Sequence, residues 1–261
     1  MSYQKLSSFY DVLTSDQPYD QWLQIVEHFK PHKPSLSFLD LGCGTGTFTS
    51  KLTHMAPIVY GMDLSTEMIQ YAKQKSTEVH WIQGDMSNFN LNQTFDLITI
   101  FCDSLNYLQS EEEVMDTFNH VYHHLNEQGI FIFDVHSAHK MLTQFNNQLY
   151  MDDREELTLI WHTTEGELPL SVWHDLTFFT KTDLGTYERI DESQFQRTLE
   201  KAIYESMLKM IGFKNIQSFY DFDINNHDEK GDRLFSLQQN KEMSLLNTCI
   251  DVKGAFLCIT V

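Results

Sequence analysis

From Leu36 onward, five short apolar runs, SLSFLDLG, IVYGMD, EVHWIQGD, FDLITIFCD and GIFIFDVH, alternate with amphipathic stretches of helical length. Runs of this length, rich in β-branched and aromatic residues, read as strands. Strands separated by helices pair in parallel, and a parallel sheet is covered by helices on both faces. The pattern therefore predicts a doubly wound α/β domain with a mostly parallel sheet. The rhythm breaks in residues 151–197. There LTLIWHTT, LSVWHDLTFFTKT and TYERIDESQFQRTLE, separated by the turn sequences EGELP and DLG, predict an antiparallel β insertion. A helix from about Glu200 to Ile211 follows, stopped by Gly212, and then the strand FKNIQSFYDF. For the last strand, DRLFSLQQ is favoured over GAFLCITV, which would need a long connection. The boundaries expected are capping helices in 1–35, a main domain in 36–150 and 198–261, and the insertion in 151–197. Residues 241–261 receive no firm account.

At the end of the first strand, FLDLGCGTGTF sets Asp40, Gly42, Gly44 and Gly46 at the junction with the next helix. Glycines here permit positive φ and bring backbone within contact distance of a ligand lying across the strand ends. A nicotinamide or flavin fingerprint would place its third glycine at position 47, where Thr47 stands, so the dinucleotide reading is weakened. Two more strands end in acids, at Asp63 and Asp85, each some twenty residues after the last, as one βα unit requires. Carboxylates also favour helix N-termini on their own account, and capping is the competing role for each acid alone. The glycine turn and the three acids taken together argue for a ligand site.

The D-x-G-x-G-x-G run resembles the first motif of the class I S-adenosylmethionine (SAM)-dependent methyltransferases, and the similarity continues to about residue 240. Within that family the chain is similar to small bacterial members with a D-S-L-N-Y segment, an N-terminal F-Y-D run and a β insertion. The resemblance implies a seven-stranded, Rossmann-like sheet in the order 3-2-1-4-5-7-6 with one antiparallel strand, and SAM as the cofactor. By the same resemblance Asp40 would orient the turn or meet the amino group of SAM, while Gly42, Gly44 and Gly46 approach its methionine part. Asp63 would hold both ribose hydroxyls, Leu64 and Met68 would lie against the adenine, and Asp85 and Met86 would read its edge. Cys102 would face the cofactor, and Tyr10 and Tyr19 would close over it, where an aromatic face suits a sulfonium. Simple packing is the alternative for both tyrosines.

The acceptor site of an open α/β sheet lies beyond the carboxyl ends of its strands, here at FCDSLNYL and FDVHS. Asp103, His136 and His174 are the candidate bases, because their polar atoms would line that cleft. The segment departs from the N-P-P-Y pattern of amide and exocyclic-amine methyltransferases, and the P-C nucleophile of cytosine-C5 enzymes is absent. The insertion, carrying His174, Tyr187 and Arg189, is expected to cover the acceptor. His120, His123 and His124 read as a solvated helix face without metal-ligand spacing, and no metal is expected.

Lys and Arg number 18 against 37 Asp and Glu, and a net charge of -19 repels the phosphates that a DNA-binding protein must neutralise. A small-molecule acceptor is favoured and DNA disfavoured. A structured RNA such as tRNA stays open, since composition averages over the whole surface. Neither a secretory signal nor a membrane span is evident, and the four cysteines form no closely spaced set, so a cytoplasmic protein is expected. Two rival readings remain: a nicotinamide-dependent oxidoreductase, and a catalytically silent SAM-binding protein.

Overall fold

The computed structural model describes Asp11, residues 14–155, 157–182 and 184–239, and the backbone of 249–252 and 255–258. Five parallel strands open the main sheet: β1 (Ser37–Leu41), β2 (Ile58–Asp63), β3 (His80–Gln83), β4 (Phe95–Ile100) and β5 (Leu125–His136). After the insertion come β10 (Lys214–Tyr220) and β11 (Arg233–Gln239), completing the order β10-β11-β5-β4-β1-β2-β3. Counted along this sheet alone, that is the expected 3-2-1-4-5-7-6. Only β11 runs against its neighbours, pairing antiparallel with both β5 and β10. DRLFSLQQ is thus the last strand of the sheet. Residues 249–252 and 255–258 form β12 and β13, a separate two-stranded ladder.

Burial follows position. Every residue of β4 is buried, as is β5 from Ile130 to its end, because these central strands are covered on both sides. On one face α4 (Glu111–His124) and α6 (Lys201–Ile211) press Phe118, Val121, Tyr204 and Leu208 against Phe131 and Phe133. On the other, α1 (Tyr19–Phe29) buries Trp22, Ile25 and Val26 against Phe38, Phe219 and Phe235. The short α2 (Thr47–Lys51) and α3 (Thr66–Lys75) follow β1 and β2, and α5 (Ala138–Thr143) follows β5.

The insertion is a four-stranded antiparallel sheet, β6 (Leu149–Asp153), β7 (Leu157–Glu165), β8 (Ser171–Lys181) and β9 (Tyr187–Arg197), in that order. Strand β6 has no counterpart in the sequence reading. Four of its five residues are exposed, so it carries no inward apolar face to announce it. A small core of Met141, Phe145 and Val172, with Trp161 against it, joins this sheet to α5.

One expectation is overturned on α4. His124 does not sit on a solvated face: it is buried, its Nδ1 donates to His120 O at 2.6 Å, and its Nε2 accepts the Leu91 N–H at 3.1 Å. Its position four residues after His120 made that carbonyl reachable, and the loop before β4 supplied the second partner. Burial accordingly lowers its pKa.

The start of α4 is fixed by a capping box, in which Ser110 Oγ accepts the Glu113 N–H while the Glu113 carboxylate accepts the Ser110 N–H. Replacing Ser110 with Ala should cost about 1 kcal/mol, read as a lowered urea midpoint at unchanged slope.

Candidate active site

The carboxyl ends of β1 to β4 open onto a cleft of about 840 Å³, continuous with solvent. Gly42, Gly44 and Gly46 all take positive φ, at 72°, 54° and 77°. The N–H groups of Gly42 and Cys43 both donate to Met62 O, which ties the turn to the end of β2. Asp63 tightens it further. Its Oδ2 accepts the Gly44 N–H at 2.8 Å and its Oδ1 the Ser65 N–H at 2.9 Å. A carboxylate has about four acceptor positions, so two remain for a ligand in the cleft. Buried Met62 and Met68 lie among the lining residues with Met86, whereas Leu64 is 66% exposed. Asp85 is exposed and turns one oxygen onto the Ser87 N–H and hydroxyl. Ser104, Tyr107 and Leu108, from the turn after β4, complete the lining.

A second, smaller hollow adjoins through Gly42, Gly44 and Ser104 and is lined by Tyr19, Asp40, Phe101 and Cys102. Asp40 accepts hydroxyl hydrogen bonds from Thr49 and Thr99. Burial outweighs them and pushes its carboxyl up to about 7. Burial likewise raises the Cys102 thiol.

Beyond β4 and β5 the polar groups converge. Asp134, fully buried, accepts the Trp22 indole N–H at 3.0 Å, the backbone N–H groups of Cys102 and Asp103, and a guanidinium N–H of Arg233. Arg233 reaches Asp103 Oδ1 at 2.9 Å with its other terminal nitrogen. Cys102 and Asp103 both hold φ of 54°, a left-handed conformation that costs non-glycine residues about 1–3 kcal/mol each. The two hydrogen bonds to Asp134 hold them there. His136 Nε2 lies 3.3 Å from Asp103 Oδ2, and its Nδ1 is buried without a partner. Against the effect of burial, His136 and Arg233 hold the Asp103 carboxyl well below the usual range. Burial lowers the imidazole in spite of Asp103.

The insertion reaches the same carboxylate. Trp161 Nε1 donates to His174 Nδ1 at 2.9 Å, His174 Nε2 donates to Gln196 Oε1 at 3.0 Å, and Gln196 Nε2 donates to Asp103 Oδ2 at 3.4 Å. Tyr107 donates to Gln194, and Asn106 bonds both the Arg197 carbonyl and the His136 N–H.

This arrangement has relatives. A family model described as a methyltransferase domain matches residues 38–129. The chain is 38% identical to "Putative methyltransferase YqeM" of Bacillus subtilis (strain 168), over 93% of its own length and 98% of that protein's. The chain is a class I SAM-dependent methyltransferase. The crystal structure of an S-adenosylmethionine-dependent methyltransferase from Clostridium acetobutylicum ATCC 824 is similar to it, with a TM-score of 0.79 and 28% identity over 91% of this chain and 98% of that one. A Streptomyces venezuelae protein named dTDP-3-amino-3,4,6-trideoxy-alpha-D-glucopyranose N,N-dimethyltransferase is 30% identical over 98 residues, 38% of this chain and 41% of its own.

The methyltransferase brings Gly42, Gly44, Asp63, Leu64, Met68, Asp85 and Met86 onto one cleft and Tyr19, Asp40 and Cys102 onto its neighbour. Gly46 lines neither cavity. A Cβ there would stand 2.4 Å from the Trp81 ring, so its glycine serves packing. Tyr10 lies outside the described residues. Asp103 and His136 meet, while His174 has both nitrogens engaged and reaches Asp103 through Gln196 and His136 through the Phe145 ring. Tyr187 and Arg189 are exposed on the insertion, with Arg189 paired to Asp191. Asp134, Arg233 and Gln196 escaped the sequence reading, although FDVH carries Asp134 two residues before His136. No helix among the described residues is long and apolar enough to cross a membrane.

Burial in the methyltransferase pushes His174 down to about 4 from its ordinary 6.5. Between those values the unfolded chain binds the extra proton, so its contribution to stability is present above pH 6.5 and lost as pH falls toward 4. Going from pH 7 to pH 5, wild type should lose about 2 kcal/mol more than His174→Gln, measured by urea unfolding at both pH values.

Proposed function

We propose that the chain transfers the methyl group of SAM to a small-molecule acceptor that bears a proton on its nucleophilic oxygen or nitrogen, with His136 as the base. The observation that carries this reading is the His136 ring, 5% exposed, facing Asp103 through Nε2 and leaving Nδ1 unpartnered. Buried polar atoms without partners are rare, and one beside the strand ends that hold a cofactor is a candidate for chemistry. The part-length likeness to an amino-sugar methyltransferase supports a small acceptor.

Asp63 would accept from the ribose diol with its remaining lone pairs, while Met62, Met68, Leu64 and Met86 supply apolar walls for the purine. Asp85 stands at the edge of that space. The adjoining cavity would take the methionine portion, with Tyr19 and Cys102 on its walls and Asp40 orienting the turn through Thr49 and Thr99. Bound SAM supplies a methyl group on a positively charged sulfur, open to in-line displacement. For the protein, the work is alignment in a dry site and removal of one proton. Asp103 holds the Nε2–H tautomer, so the Nδ1 lone pair faces the acceptor and receives its proton as the new bond to carbon forms. Arg233 and Gln196 hold Asp103. His174 therefore acts at a distance, by orienting Gln196.

Calorimetric titration with S-adenosylhomocysteine tests the cofactor half. Asp63→Ala should weaken binding by about 10- to 100-fold, the worth of hydrogen bonds to a charged group, and unchanged affinity would remove Asp63 from the site. His136→Ala should bind S-adenosylhomocysteine normally. With an acceptor found by screening metabolite pools against labelled SAM, the same variant should slow transfer by about 10²- to 10⁴-fold.

A further inference from the structure

Helix α5 begins two residues after β5 ends, and its Lys140 ammonium lies 5.1 Å from the centroid of the Phe145 ring. The His136 ring packs edge-on against the same phenyl, also at 5.1 Å between centroids. Lys140 is half-buried, yet its ammonium makes no hydrogen bond or ion pair among the described residues. The acids around it have other donors. Asp103 and Asp134 share Arg233, and Asp232 takes the Gln144 amide at 2.6 Å. Burying a cation without a direct hydrogen-bonded partner is costly, and burial lowers the Lys140 pKa in spite of the nearby Asp103, Asp232 and Asp134. Two side chains thus pack on one aromatic ring and carry nitrogens without a hydrogen-bond partner among the described residues: His136 at Nδ1 and Lys140 at its ammonium.

Their chemistries are complementary. His136 Nδ1 accepts from an O–H or N–H group, and Lys140 donates to an anion. We infer that Lys140 and His136 are the two ends of an acceptor subsite for a small molecule carrying a carboxylate or phosphate beside its nucleophilic O–H or N–H. The subsite rests on the reading of His136 as the base of the methyltransferase. Phe145 forms its apolar side, and Arg233, occupied by two carboxylates, leaves the anion to Lys140.

The test uses the full chain with ¹³C-labelled lysine and histidine, with and without saturating S-adenosylhomocysteine. The Lys140 and His136 side-chain resonances are followed by NMR during titration with glycolate, inorganic phosphate, or ethylene glycol as the uncharged control. Glycolate or phosphate should move both resonances along one saturable curve, and ethylene glycol should not. In Lys140→Met that affinity should fall about tenfold or more, the worth of one charge-assisted hydrogen bond, and Lys140→Arg should restore most of it. A response to glycolate alone marks a carboxylate acceptor, and a response to phosphate alone a phosphorylated one. The subsite is overturned if neither anion moves the two resonances, or if Lys140→Met binds them as wild type does. Failure of S-adenosylhomocysteine to bind would instead strike at the cofactor cleft, while the titration of the ligand-free chain still decides the subsite.

Discussion

The buried ion pair between Asp134 and Arg233 is the interaction on which the site depends. Asp134 lies two residues before the end of β5, Arg233 begins β11, the one strand running against the rest, and their side chains meet at the mouth of the sheet, where Arg233 pairs with His136. Removing two charges from water is expensive, and such a pair earns its place only when every remaining lone pair and proton is satisfied. Here Trp22 brings α1 to Asp134, and the backbone of Cys102 and Asp103 brings the turn after β4. The Arg233 guanidinium also lies over the Trp22 ring at 5.1 Å. One carboxylate therefore fixes the entry helix, the antiparallel strand and the strained turn together.

From that anchor the polarity of the site follows. Asp103 is held ionised by Arg233 and His136, and it imposes a tautomer on His136. The imidazole stays neutral because burial outweighs its acidic neighbour. Asp40 illustrates the opposite balance. Two threonine hydroxyls do not compensate for its desolvation, so it titrates near neutrality while holding the first turn.

The parts legible in the sequence are those with a regular spacing along the chain. Strand alternation, the glycine turn and the acids at strand ends recur at the spacing of one βα unit, so spacing reveals them even where their partners, such as Thr99 for Asp40, lie further off. Asp134 and Arg233 are 99 residues apart, and Asp103 and Gln196 are 93 apart, beyond any local pattern. Gln194 and Gln196 flank Phe195 in an alternation that reads as polar residues facing water. In the structure all three are buried, because this end of β9 is covered on both sides. His124 failed for a related reason: helical spacing gives a face, but only the neighbouring loop determines whether that face is wet.

The insertion departs from and returns to the same residue. The chain leaves the sheet at His136, and on its way back Thr198 donates its hydroxyl to the His136 carbonyl at 2.7 Å, while Asn106 clasps both His136 and Arg197. Its far turn, around Thr182–Thr186, lies at the other end of β8 and β9 and carries Leu184, 90% exposed. The module is thus rooted at His136, and near its far end Arg154 reaches the Ser15 hydroxyl of the N-terminal segment at 3.4 Å. Its outer surface can be remodelled to admit different molecules without disturbing the donor cleft, which is built wholly from the other arm of the protein.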